Sequence, residues 1–448
     1  MTPRAAQSDT ARRRLRDAAV RVLLTNWTGG STVPSASLYP HQWSWDSAFV
    51  AIGLRHLSPR RAQRELETLF GAQWDDGRVP HIVFNAAIPL DAYFPSPDFW
   101  RSGAAGRAAG APRGIETSGL VQPPVHAMAA WLVHESDPET SARRGFLRRL
   151  YPRLTAWHDY LATHRDLAGH GLAGVVHPWE PGMDNSPCWD GPLSRIDPAP
   201  ASSFRRADLA HGAAADRPTD LDYGRYVRLA AGYRDRAYRD GGAPHPFAVE
   251  DPGFNALYIV SEHALASIAE ALGKDPLPHR ARARALTDAL VERLWEPEAG
   301  MFLSRDLRAG ALIAERSVSG LLPLLVPELP QALVEALLHT VTGEHFGLGS
   351  TTALVPSYDL RGLAFDSSRY WRGPAWFNVN WAIERGLRQY GAVRLADALR
   401  QAVLASGGAS GFAEYVDPRT GRARGMTDFS WTAAAVLDLL ATAPEGTP

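Results

Sequence analysis

A chain of 448 residues with 45% hydrophobic content can bury a large core, and its formal net charge of -1, with arginines scattered among acids, excludes a nucleic-acid partner. The single cysteine, Cys188, excludes an intramolecular disulfide or a cysteine-based metal site, and it fits a reducing compartment, so a cytoplasmic location is expected. No apolar run reaches membrane-spanning length, and the Arg-rich start lacks the apolar stretch and cleavage site of a signal peptide, so no membrane association is expected.

Helical periodicity then recurs along the chain. Apolar spacing predicts helices over 9–25, 46–57, 59–73, 122–136 and 140–165, then over 252–272, 276–295 and 328–342, and finally over 374–391, 393–406 and 429–441. Ser58-Pro59 and Thr427-Asp428 read as helix starts that cap first-turn amides. Alternating βαβ units are absent. Helix pairs joined by Gly-, Pro- and Trp-rich connections predict an all-α fold closed into a ring, an (α/α)6 barrel or toroid, in which inner helices bury both faces. One catalytic domain is expected over 1–448, with loop insertions near 74–121 and 169–251 forming a cap over the active site.

The connections 26–45, 74–121, 169–251, 343–373 and 407–428 far exceed the roughly 2–8 residues of ordinary helix–helix links, and loops of that length carry function. Two stretches within them, Gly103 to Gly114 and Pro198 to Arg217, read as mobile covers.

Four clusters in or beside these loops carry chemistry. Tyr39-Pro40-His41-Gln42-Trp43-Ser44-Trp45-Asp46 sets two indole rings and an acid at a helix start, where Asp46 is either an N-cap or a sugar-binding acid. His177-Pro178-Trp179-Glu180-Pro181-Gly182-Met183-Asp184-Asn185-Ser186-Pro187 holds two acids near Trp179 and Trp189, and a carboxyl desolvated against Trp gains the raised pKa of a general acid. Spacing alone leaves open whether Glu180 or Asp184 is that group, and whether Asp184 only closes a turn. Ser368 to Trp381 gathers Tyr370, Trp371, Trp376 and two asparagines around a further helix start, the aromatic-plus-amide composition of a sugar pocket. Gly411-Phe412-Ala413-Glu414-Tyr415-Val416-Asp417-Pro418 puts Glu414 between aromatics ahead of a turn, as a buried ion-pair partner or a functional acid.

Together these clusters resemble glycoside hydrolase family 63, especially its short bacterial members acting on mannosylglycerate and glucosylglycerate, over nearly the whole chain. The residues carrying the resemblance are Trp43-Ser44-Trp45-Asp46, Trp179-Glu180-Pro181-Gly182-Met183-Asp184-Asn185-Ser186, Tyr370-Trp371-Arg372-Gly373-Pro374-Ala375-Trp376 and Phe412-Ala413-Glu414-Tyr415. The resemblance implies an (α/α)6 barrel and hydrolysis with inversion of an α-glycoside, most simply glucosylglycerate or mannosylglycerate, with Asp184 as general acid and Glu414 as general base. It also implies that Tyr39, Trp43, Trp45, Asp46, Gln122, Trp179, Gly182, Tyr223, Trp371 and Trp376 line the sugar pocket, and that Arg217 and Tyr370 hold the aglycone carboxylate. Inversion requires the two carboxyls to stand roughly 6.5–9.5 Å apart.

No cofactor and no metal are expected, since the histidines are dispersed and Gly347-Leu348-Gly349 lacks the context of a phosphate loop. The expected partner is a small carbohydrate, with assembly into a homo-oligomer compatible with the sequence. An α-glucosidase of short oligosaccharides is the alternative within the same chemistry; a sugar epimerase would instead use His41, His177 or His245 as proton shuttles. A carbohydrate-binding protein without catalysis would not need two opposed acids, and a nucleophilic Cys188 lacks a neighbouring base.

Overall fold

The computed structural model describes residues 3–210 and 214–442. Six elements form an inner ring: α2 (Ser44–Leu54), α4 (His126–Ser136), α8 (Pro252–Ala271), the 3-10 helix Val318–Leu325, α11 (Phe377–Gln389) and α13 (Ser430–Ala441). Each packs against the next, and α13 returns to α2 to close the ring. Outside them run α1 (Pro3–Thr25), α3 (Pro59–Gly71), α6 (Phe146–His164), α9 (Leu277–Leu294), α10 (Gln331–Thr342) and α12 (Val393–Ala409), which completes the (α/α)6 toroid.

Composition decides which ring a helix joins. All of α2 from Ser44 to Leu54 is buried, whereas the outer α3 buries a stripe formed by Ala62, Gln63, Glu65, Leu66, Leu69 and Phe70. The closing pair α13 and α2 meets at Gly53, where a Cβ would stand 2.4 Å from the Ala434 Cα, so only glycine permits this approach.

Several sequence expectations shift. The predicted helix 140–165 is two: α5 (Pro138–Arg144) ends at Gly145, whose φ of 59° breaks the helix before α6. The helix predicted from 122 starts at His126, because the Val121–Val125 stretch carries two prolines, and the one predicted from 374 starts at Phe377. The fourth inner element was not anticipated, because Val318–Leu325 is a short apolar run around Pro323 with no helical period. Within the supposed loop 169–251 lies α7 (Asp220–Asp235), opened by a capping box between Thr219 and Asp222. Its buried stripe is Tyr223, Tyr226, Val227, Ala230 and Tyr233, a helical spacing written largely in tyrosine. Ser58 does cap α3, accepting from the Arg61 amide, but Asp428 caps nothing: α13 begins after Phe429, and Asp428 adopts φ 51°. Asp46 likewise sits in the first turn of α2 and is not its N-cap.

Far from the helix starts that frame the pocket, the ring is tied by Asp438 of α13. It accepts from Arg55 Nη2 at 2.7 Å, His56 Nε2 at 2.8 Å and Trp381 Nε1 at 2.8 Å, and Arg55 also donates to the Leu132 carbonyl. The end of α2, α11 and α13 thus meet at one buried carboxylate, and Arg55 extends the tie to α4. Asp438→Ala leaves the Arg55 guanidinium buried and unpaired, so a loss of about 3–5 kcal/mol in urea unfolding is expected.

Candidate active site

The long connections converge over the N-terminal ends of the inner helices and enclose one pocket. Its wall contains Tyr39, Trp43, Trp45, Asp46, Gln122, Trp179, Gly182, Asp184, Tyr370, Trp371, Trp376 and Glu414, all singled out from sequence. The remaining two, Arg217 and Tyr223, line an adjoining pocket that shares Tyr39, Trp179, Asp184 and Tyr370 with the first. Sequence reasoning missed Pro34, His81, Tyr93, Phe429 and Trp431 in the first pocket, and Leu38, Phe94, Asp208, Pro218 and Tyr226 in the second, which Tyr93 also lines. His81 reaches the pocket through the strand pair Gln42–Trp43 with Ile82–Val83, which carries it beside Trp43.

The aromatic wall is rigidly stacked. Trp371 lies on Trp376 at 4.0 Å and 4°, and Trp376 lies on Tyr415 at 4.5 Å, while the Trp376 indole N–H donates to the Tyr370 carbonyl. Such faces suit the C–H surface of a sugar ring. Between them, the Gln122 Oε1 accepts from the Trp45 amide, which leaves its amide nitrogen for a ligand. Asp46 is 4% exposed, and burial together with Glu414 raises its pKa well above the carboxylate range.

Asp184 and Glu414 occupy different environments. The Asp184 loop is pinned on both sides: Asn185 Oδ1 accepts from the Trp371 amide, the Trp189 indole donates to the Met183 carbonyl, and Gly182, at φ 73°, approaches Trp45 so closely that a Cβ would lie 2.5 Å from it. Tyr226 fixes the Asp184 carbonyl at 2.7 Å. Among the described residues no neighbouring side chain hydrogen-bonds the Asp184 carboxyl, and burial pushes its pKa up to about 7, partly opposed by Arg217. Such a group carries a proton it can give away near neutral pH.

Glu414 stands just before the strand Tyr415–Val416, which is sandwiched between Ala375–Trp376 and Ala423–Arg424. The Tyr39 hydroxyl donates to its Oε1 at 3.1 Å, the Met426 amide donates to its Oε2 at 3.1 Å, and Arg217 Nη2 lies 3.6 Å from Oε2. Burial raises its pKa, while Arg217, the Met426 amide and Tyr39 favour the carboxylate. Gly425 leaves room for this: a Cβ there would be 2.4 Å from Oε2.

The competing acids are structural. Glu180 is fully buried in a two-pronged pair with Arg165, both contacts at 2.7 Å, and accepts from the Val176 amide. Asp417 takes the Ser367 hydroxyl and the Arg419 and Thr420 amides of its turn. Cys188 is buried and its thiol is pushed up to about 12. Of the histidines, His177 donates to the Tyr226 carbonyl and accepts from the Trp179 amide, His245 is bonded to the Asp240 carbonyl, and His41 accepts from the Asn85 amide. None of these three lines the pocket; His81 does, held neutral by burial with a pKa of about 3. No group of three or more metal-ligating side chains gathers among the described residues, and no helix among them is long and apolar enough to cross a membrane. The Gly103 to Gly114 stretch, expected as a cover, packs at Gly106 and Gly110 against Trp74 and Asp75 and contributes nothing to the pocket wall. In the other expected cover, residues 211–213 lie outside the described residues, and Asp208, Arg217 and their neighbours border the second pocket.

Residues 39–432 match the profile of the mannosylglycerate hydrolase MGH1-like glycoside hydrolase domain. The chain belongs to this glycoside hydrolase family. It is 42% identical to the mannosylglycerate hydrolase of Rubrobacter radiotolerans, over 94% of this chain and 96% of the relative. It is 38% identical to the glucosylglycerate hydrolase of Mycolicibacterium hassiacum, over 94% and 96%. The crystal structure of the family 63 mannosylglycerate hydrolase from Thermus thermophilus with Tris and D-glycerate superposes with a TM-score of 0.86 at 40% identity, covering 95% of this chain and 99% of that one.

An acid whose folded pKa is raised destabilises the fold as it ionises: stability falls as pH climbs from the ordinary carboxyl range, about 4, to about 7. Asp184→Asn is therefore expected to raise the melting temperature at pH 8 and to leave it nearly unchanged at pH 4, as differential scanning calorimetry would read.

Proposed function

We propose that this glycoside hydrolase cleaves an α-linked glycoside of glycerate, glucosylglycerate or mannosylglycerate, to sugar plus glycerate with inversion. The observation that carries the mechanism is the contrast between the two carboxyls facing one aromatic pocket: Asp184 desolvated without a side-chain hydrogen-bond partner, Glu414 held by Tyr39, Arg217 and the Met426 amide. Asp184 protonates the departing glycosidic oxygen. Glu414 takes a proton from the water that attacks the anomeric carbon on the opposite face, through an oxocarbenium-like transition state. Asp46 and Gln122 bond the sugar hydroxyls, Trp43, Trp45, Trp179, Trp371 and Trp376 wall the ring, and Gly182 leaves the space that Trp45 fills.

The glycerate reading draws on the relatives named for mannosylglycerate and glucosylglycerate and on the adjoining pocket. There the buried Arg217, whose Nη2 makes no hydrogen bond, and the Tyr370 hydroxyl offer a carboxylate the charge-assisted bonds it needs.

Proton NMR with glucosylglycerate, mannosylglycerate and α-glucosyl disaccharides tests the proposal: first-formed β-sugar and turnover of the glycerate compounds are expected, whereas first-formed α-sugar refutes inversion. Asp184→Ala and Glu414→Ala are each expected to lose at least about 100-fold in kcat with an unchanged circular dichroism spectrum. Because Asp184 must be protonated to act, kcat/KM is expected to fall as pH rises past about 7, and a rate independent of pH from 6 to 9 would refute its role as acid.

A further inference from the structure

Arg217 is the only cationic side chain lining either pocket among the described residues, and it has more claimants than charge. It is 5% exposed, with its guanidinium 5.0 Å over the Tyr370 ring. Its Nη1 donates to the Tyr39 hydroxyl at 2.9 Å, and that hydroxyl in turn donates to Glu414 Oε1. Its Nη2 stands 3.6 Å from Glu414 Oε2 and, although buried, makes no hydrogen bond. A buried guanidinium nitrogen left open beside a pocket is a site waiting for an acceptor.

We propose that Arg217 links the two pockets electrically: a carboxylate seated in the adjoining pocket draws off the positive charge that otherwise serves Glu414 and Asp184, so the substrate's own charge completes the catalytic pair. The proposal rests on the reading of that pocket as the seat of the aglycone.

The charged and titratable groups facing Arg217 come from every loop around it. They are Tyr39, Tyr370, Glu414 and Tyr415, with Asp184 and Tyr93 at longer range. Its chain neighbour Asp216 is engaged by Arg424 at 3.4 Å, and Asp208 is held by Arg206 through two bonds of 2.9 and 2.8 Å. No spare cation therefore compensates when Arg217 is engaged by a ligand. In the free protein its charge favours the ionised form of both Asp184 and Glu414. An incoming carboxylate adds a negative charge beside that guanidinium, so both catalytic groups hold protons more tightly. Asp184 then stays an acid to higher pH, and Glu414 becomes the stronger base. A neutral aglycone of the same shape leaves Arg217 on Tyr39 and Glu414 and forgoes both effects. Discrimination then acts at the chemical step as well as in binding.

The test compares pH profiles for a glycosylglycerate and the matching glycosylglycerol, in which a hydroxymethyl group replaces the carboxylate. With the glycerate, the kcat profile is expected about one pH unit above the kcat/KM profile. With the glycerol, the two profiles are expected to coincide. Arg217→Gln should erase the offset for the glycerate, and Arg217→Lys should retain part of it. A glycerol compound that only raises KM, with the same offset between its profiles, overturns the proposal and leaves Arg217 a binding residue. If neither glycoside is cleaved, the glycerate reading itself fails. The linkage is then read on the α-glycosyl fluoride with D-glycerate added as a free carboxylate, where an unmoved profile overturns it.

Discussion

The site depends on one buried carboxylate that does no chemistry. Glu180 has both oxygens on Arg165, at 2.7 Å each, and also receives the amides of Val176 and Val121. Arg165 continues to Asp240 and Tyr160, and Asp240 on to Tyr233 and Arg78. This fully satisfied network fastens the end of α6, the acid-bearing loop and the stretch leading to Gln122 into one unit. A half-satisfied version would be worse than none, because each stranded charge would bear its full desolvation cost. Four residues beyond Glu180, Asp184 receives no such support. Two acids in one tight loop thus meet opposite fates: one is locked against Arg165 in a structural pair, the other is desolvated, with its pKa raised to about 7, and free to exchange a proton.

The same division governs Glu414. Its backbone amide donates to the Met426 carbonyl, Trp431 and Thr432 bond the carbonyls of Glu414 and Ala413, and Ser430 ties α13 to Val33 near Tyr39. Each catalytic candidate is therefore placed by backbone bonds; the Asp184 carboxyl is left without a side-chain partner, while the Glu414 carboxyl is aimed further by Tyr39 and the Met426 amide. Rigid placement is what a proton donor and acceptor need when the reacting atoms must be held within fractions of an ångström.

Much of this was legible in the sequence, and the failures have physical causes. The ring of helices could be read because inner and outer helices differ in how much of their circumference is apolar. The loops could be read as functional because they were too long and too rich in Trp. Helix starts were misread where the pocket overrode capping chemistry: the N-cap residues of α2, α11 and α13 are Trp43, Trp376 and Phe429, none of which makes a side-chain cap bond, and all three line the pocket. First-turn amides are satisfied from other loops: the Trp45 amide, which a Ser or Asp cap could have bonded, donates to Gln122 Oε1, and the Ser44 and Ser430 amides donate to the carbonyls of His81 and Pro34. Helix α7 escaped because its buried stripe is largely tyrosine, and the inner element at 318–325 because a proline-containing 3-10 turn has no 3.6-residue period. His81 and Tyr93 were hidden because their loops reach the pocket through non-local pairing, which a local pattern does not encode.

Those three aromatic starts have an electrical consequence. Each helix directs the positive end of its peptide dipoles, equivalent to about half an elementary charge, toward the same cavity. The effect is confined to the first turn of each helix, and at α2 that turn holds Asp46. That local positive end opposes the burial that raises the Asp46 pKa, so one acid of the pocket wall has its own helix as a countercharge.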